Sequence, residues 1–169
     1  MAVEAVKSPA EGRVLLRNAS WVTYERLIDE REERRVPRFF YDRGVLEIMS
    51  PSAKHDRVSR VVALFVEELA VEMNLDVDRV GSMTYKRGDF SRGFEPGESF
   101  YFSGNAQSVR GKSDIDLDAG ALDAGDLPPD LVSEADATNS ILNKLPIYAR
   151  LGVKEVWRYA GGGMAILGE

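Results

Sequence analysis

The sequence predicts an α/β or α+β domain in which one mixed β-sheet is flanked by helices and extended by β-hairpins. Three observations carry this. Short β-prone runs bounded by Gly, Pro and Asp recur along the chain. Helical stretches with apolar residues at 3.6-residue spacing lie between them. No internal repeat interrupts the alternation, and strands interleaved with helices indicate one mixed sheet. At 169 residues the chain fits one domain able to bury about 70% of its unfolded surface.

The elements follow in order. The first dozen residues carry no periodicity and are expected to be loose, so residues 1–20 are assigned to an N-terminal arm and 21–169 to a single domain. A helix starts at Val22, with Thr23 as candidate N-cap and Val22 and Leu27 as a hydrophobic staple. The charge cluster Glu30 to Arg35 reads as a solvated helix end or loop. Arg38 to Tyr41 and Val45 to Met49 are β-prone, joined by Asp42-Arg43-Gly44 in a three-residue hairpin with Gly44 left-handed. Ser50-Pro51-Ser52 opens the clearest helix, where Val58, Val61, Val62, Phe65 and Leu69 form the stripe expected to be buried. Short strands are expected at Val77 to Val80, Met83 to Arg87, Ser99 to Phe102 and Asp114 to Leu117. The small, acidic Asp118 to Asp126 reads as a loop. Leu131 to Ala137 is a strand carrying acids, followed by a helix from near Asn143, with Pro146 in its first turn and Gly152 at its C-terminus. A hairpin, Glu155 to Tyr159 and Met164 to Leu167, closes the chain through three glycines.

Composition excludes several function classes. With no cysteine there is no disulfide, zinc ribbon or thiol nucleophile, and a metal must be held by oxygen or by His55. No apolar run approaches the ~20 residues that span a bilayer, and no signal-peptide core is present, so a cytoplasmic protein with no membrane partner is expected. The net charge of −6 gives no general attraction to nucleic acid. A polyanion would have to meet a local basic patch or a metal.

The richest stretch is Pro128 to Tyr159. Asp130, Glu134 and Asp136 differ by even numbers, so an extended chain points them to one face of the sheet. Acids aligned on one face repel and desolvate one another unless a cation or open water meets them. The pattern therefore proposes a metal site.

The order MSPSAKH, EPGESFYF and PPDLVSEADATNSILNKLPIYARLGVKEVWRY resembles the Uma-type restriction endonucleases of the PD-(D/E)XK nuclease superfamily, over roughly Trp21 to Leu167. The resemblance implies a restriction-endonuclease-like fold and Mg²⁺- or Mn²⁺-dependent hydrolysis of DNA phosphodiesters, with carboxylates on adjacent strands as metal ligands. It implies Glu134 as the glutamate of the (D/E)XK element. It implies Lys144 as the lysine, carried on the following helix, and Asp136 as a further catalytic and metal-binding candidate. His55 matches a histidine common at the start of the family's long helix, and as a phosphate or substrate contact it would have Lys54, Arg57 and Arg60 near it as a small anion-binding rim. Homodimerisation suits a nuclease that cuts both strands. The pattern breaks at one place: Gly97 stands where the family's PD element has its aspartate. Losing one of two anionic ligands weakens Mg²⁺ binding. Glu98 has the wrong parity to substitute for it, and Glu95 has the right parity but precedes Pro96. Restoring the acid, Gly97→Asp, is expected to raise metal affinity if the rest of the site is intact. Ser133 and Ala135 also stand where larger β-branched residues are expected.

Each candidate has a plainer role beside the functional one. Glu134 would be satisfied by a structural partner such as Arg110 or Arg150. Asp136 fits an Asx-type turn as well as a ligand position. Lys144 alone is an ordinary helix-surface lysine, and His55 an exposed or capping histidine. Asp130 reads as a strand-entry or loop residue, and Phe100, Tyr101, Phe102, Trp157 and Tyr159 as packing. These readings leave two functional classes, a nuclease and an inactive nuclease-fold binding or assembly module.

Overall fold

The structure, a computed structural model, describes residues 2–7, 12–31, 36–112, 115–117, 126–135 and 142–168. The residues expected to be a loose arm instead form two antiparallel strands, β1 (Ala2–Lys7) and β2 (Gly12–Arg17), and β2 pairs onward with β4 (Val45–Ser50). The alternation in β2 is hidden because an inward position is Arg13, which is buried against Glu47 of β4. α1 (Trp21–Glu30) begins earlier than expected: Ser20 is the N-cap, its hydroxyl accepting from the Thr23 amide. β3 (Arg38–Asp42) and β4 are joined by two residues, Arg43 and Gly44, both at positive φ, so the turn is one residue shorter than expected.

α2 (Ala53–Glu72) is capped by Ser52, but its buried face is not the expected one. His55, Ser59, Val62, Ala63, Val66 and Ala70 face inward, while Val61 and Phe65 lie exposed. Small residues let the helix approach the sheet closely, and the larger apolar side chains are left outside. Short strands β5 (Val77–Arg79), β6 (Tyr85–Arg87), β7 (Arg92–Phe94) and β8 (Glu98–Phe102) follow, then helix α3 (Ser103–Val109), which periodicity does not announce, and β9 (Ile115–Asp116). β10 (Leu131–Ala135) carries Glu134, α4 (Leu145–Arg150) follows with Lys144 as its N-cap residue, and β11 (Glu155–Ala160) and β12 (Gly163–Gly168) form the last hairpin. The loop read at Asp118 to Asp126 falls almost wholly outside the described residues.

Among the described residues the strands form two sheets where one was expected. A seven-stranded sheet runs β1-β2-β4-β3-β7-β6-β9, and a five-stranded sheet runs β12-β11-β10-β8-β5. Both are mixed, since β10 lies parallel to β11 and antiparallel to β8, and β9 lies parallel to β6. Strand alternation then builds the layers. Phe40 and Met49 of the larger sheet meet Tyr101, Val132 and Val156 of the smaller one in the main core, together with Ile147 and Tyr148 of α4. The opposite face of the larger sheet packs Phe39, Tyr41 and Leu46 against Tyr24 of α1. The opposite face of the smaller sheet packs Phe100 and Leu131 against Ala63 and Val66 of α2. The inter-sheet core therefore receives Val132 and Glu134 from β10, two residues apart on one face.

Candidate functional site

Glu134 is 6% exposed, near the end of β10, and its surroundings come from several elements. One carboxylate oxygen accepts a short hydrogen bond from the Tyr148 hydroxyl. The other lies 3.9 Å from Lys144 Nζ. Neither Arg110 nor Arg150 serves it: Arg110 pairs with Asp76, and the Arg150 guanidinium lies over the Phe90 ring. Lys144 Nζ is held by the ring of Phe40 as well, 3.6 Å from its centroid. The helix start thus places the lysine between an aromatic face of β3 and a carboxylate of β10.

Burial by itself would push the Glu134 carboxyl up. Lys144, the Tyr148 hydrogen bond and the charges of Arg38 and His55 together outweigh it, so the carboxyl is held below the usual glutamate range. The same contacts act in reverse on Tyr148. Burial, then the negative charge of Glu134 and the bond to it, push the phenol well above its ordinary value, so it stays a donor. The result is a buried anion, a neutral hydroxyl and a cation at one place.

Three further residues there escaped sequence reasoning. Arg38 is buried, its closest carboxylate contact is a long one of 3.8 Å to Asp56, and its Nε and Nη1 have no hydrogen-bond partner among the described residues. A guanidinium in that state is receptive to an anion. Glu47 is fully buried on β4, taking Arg13 at 2.9 Å and the Leu142 amide at 3.3 Å. Its signal in the sequence was an acid inside the apolar run VLEIM. Tyr148 gave no signal, since a tyrosine in a short amphipathic helix reads as packing.

Of the sequence-predicted residues, Glu134 and Lys144 come together. His55 is buried where an exposed histidine was one reading, and its charge is felt at Glu134. Lys54 and Arg57 lie on the exposed side of α2. Asp136 lies outside the described residues. Asp130 is fully used, accepting from the Phe102 amide, Asn105 and Lys154.

Gly97 lies next to Glu134 across the β8–β10 pairing, which aligns Ser133 with Glu98. A Cβ at position 97 would sit 2.6 Å from the Ser133 carbonyl oxygen and 3.6 Å from Glu134 Cα. The backbones have closed over the place where an aspartate would project, and this counts against the simple expectation that Gly97→Asp restores a ligand. The flanking acids cannot substitute. Glu95 is gripped by Arg31 at 2.6 and 2.5 Å, by Thr84 and by the Phe39 amide. Glu98 is gripped by Arg79 at 3.0 and 2.7 Å. Among the described residues no three acidic or histidine side chains are placed to hold a metal ion. Asp136, the second ligand that the resemblance implies, lies outside the described residues.

Two mixed sheets are thus flanked by helices, and a glutamate and a lysine converge at the end of β10. The sequence matches the Uma2 family, described as "Putative restriction endonuclease", over residues 21–162, and the chain belongs to that family. A solved structure, of "a putative nuclease belonging to DUF820" from Anabaena variabilis ATCC 29413, is similar to it with a TM-score of 0.48 and 10% identity, covering 79% of this chain and 78% of that one. No curated protein matches the sequence. Among the described residues no helix is long and apolar enough to cross a membrane.

Proposed function

We propose that the chain is an impaired endonuclease of its family, which engages DNA in the cytoplasm and hydrolyses phosphodiester bonds slowly. The observation that carries this reading is the closed position at Gly97 beside Glu134, with Glu95 and Glu98 both committed to arginines. What survives is the electrostatic half of such a site. Glu134 and Lys144 remain paired, and Arg38 keeps two nitrogen donors without acceptors among the described residues. Lys54 and Arg57 lie on the exposed side of the same helix that carries His55, where a DNA backbone would find a local basic rim despite the acidic net charge.

A second reading, a metal-dependent enzyme with Mg²⁺ or Mn²⁺ held by Glu134 and Asp136, draws support from the Glu134 carboxyl, which stays anionic in spite of burial. Plasmid nicking and filter binding at low salt, each with Mg²⁺ and with Mn²⁺, separate the two. The expected result is salt-sensitive DNA binding that weakens in Arg38→Ala, with slow nicking lost in Glu134→Gln. Fast turnover in Mg²⁺ would favour the second reading. Absence of DNA binding at low salt would defeat both and leave an assembly module.

A further inference from the structure

We propose that the free edge of β12 pairs with the same edge of a second copy, joining the two five-stranded sheets into one across a twofold axis. Among the described residues β12 is the outermost strand of its sheet, and all six of its residues are exposed. Edge strands are ordinarily guarded by charge, proline, a bulge or extreme shortness. The opposite edge of the same sheet is guarded in this way: β5 is three residues long and carries Asp78 and Arg79, the latter paired with Glu98. β12 reads Gly-Met-Ala-Ile-Leu-Gly, with no charge and no proline, in a chain that is 30% charged.

The register makes this edge complementary to itself. Gly161 and Gly162, both at positive φ, form a two-residue turn closed by Ala160 and Gly163. In such hairpins the closing pair is hydrogen-bonded and bonding alternates from there, so the backbone groups of Met164, Ile166 and Gly168 point away from β11. An antiparallel copy centred on Ile166 uses all three of these outward residues, for about six N–H···O bonds. It sets Ile166 against Ile166, Met164 against Gly168 and Ala165 against Leu167. On the twofold axis a residue meets its own copy, so a charge there would face a like charge, and an uncharged strip in a molecule of net charge −6 avoids that cost.

The flanking surface fits this pairing. Ile166 is 61% exposed and stands opposite Trp157 in the ladder, whose ring contacts Phe65 of α2, itself 58% exposed. The apolar side chains that α2 leaves outside its core thus continue across β11 to the open edge. The contact involves fewer than the roughly 20–30 residues a side of a standard interface, so the dimer is concentration-dependent. The inference does not rest on the nuclease reading.

The chain has no cysteine, so single cysteines report the geometry directly. Ile166→Cys places two thiols across a pair with Cα atoms about 5.5 Å apart, within reach of a disulfide or a short bismaleimide. The expected results are a sedimentation-velocity shift toward dimer with rising concentration, and cross-linking of Ile166→Cys at least tenfold faster than of Gln107→Cys on the exposed face of α3. Ile166→Lys should raise the dimer dissociation constant at least tenfold while leaving the circular dichroism spectrum unchanged. A chain that stays monomeric at every concentration overturns the proposal and leaves the edge to some other strand. A dimer indifferent to Ile166→Lys, with equal cross-linking at both cysteines, overturns it as well.

Discussion

Two buried glutamates near strand ends, Glu95 after β7 and Glu134 on β10, are treated in opposite ways. Glu95 has both oxygens in a bidentate grip from Arg31, with Thr84 and the Phe39 amide completing the set. Glu134 has one tyrosine hydroxyl and a lysine ammonium at 3.9 Å. A carboxylate saturated at short range ties strands together and has nothing left to offer a ligand. One paired loosely, with its charge sustained by fields from several elements, keeps capacity to interact. The difference between a strut and a candidate site lies in how completely the lone pairs are used, since both groups are buried.

The largest test of that contrast removes each acid in turn. Glu95→Ala strands the Arg31 guanidinium without its partner, and breaking a buried pair in that way costs about 3–5 kcal/mol. Glu134→Gln keeps an acceptor for Tyr148 and loses the long pairing to Lys144 and the more distant attraction of Arg38 and His55, for a cost of about 1–2 kcal/mol. Urea denaturation of both variants reads the difference. Equal losses would erase the distinction between the two glutamates.

Gly97 lies between these acids in sequence and gives an intermediate effect. In Gly97→Ala the new methyl group must push against the Ser133 carbonyl oxygen 2.6 Å away, a backbone atom that cannot swing aside. Overpacking of this kind costs about 1–3 kcal/mol. Gly97→Asp bears the same cost before any metal is considered. A Gly97→Ala protein as stable as the parent would show that β8 and β10 part freely, and the closed position would then cease to support the proposed impairment.

How much of this was legible in the sequence depended on range. Hairpins and the α2 cap were readable because their determinants lie within a few residues, as at Arg43-Gly44 and Ser52. The buried face of α2 was not. Counting large apolar residues selected Val61 and Phe65, whereas the sheet accepts Ser59, Ala63 and Ala70 because close approach favours small side chains. β2 is not legible because a buried Arg13 reads as polar until the fold brings it to Glu47, 34 positions away. At the site, an acid in an apolar strand announced Glu134, and the family pattern supplied Lys144. Arg38 and Tyr148 gave no local sign, because what distinguishes them is proximity to Glu134 created by the fold.

The smallest effect is the most specific to the site. Lys144 is the foremost of the influences holding the Glu134 carboxyl down against burial, so Lys144→Met, which keeps an apolar stem over Phe40, should let the carboxyl rise. A carboxyl whose folded-state pKa is depressed contributes stability that is present above its unfolded value, about 4.3, and is lost as pH falls through the folded value. The parent protein should therefore lose this increment in acid, below the ordinary glutamate range. Lys144→Met lacks the increment, so the stability gap between the two proteins should be widest near neutrality and shrink as the pH drops below about 4. Carboxyl ¹³C titration of Glu134 measures the shift directly, and denaturation at neutral and acid pH measures its consequence. An unmoved Glu134 titration in Lys144→Met would mean that Tyr148 and Arg38 suffice to hold the anion. Glu134 would then be a strut like Glu95, and Lys144 only its neighbour.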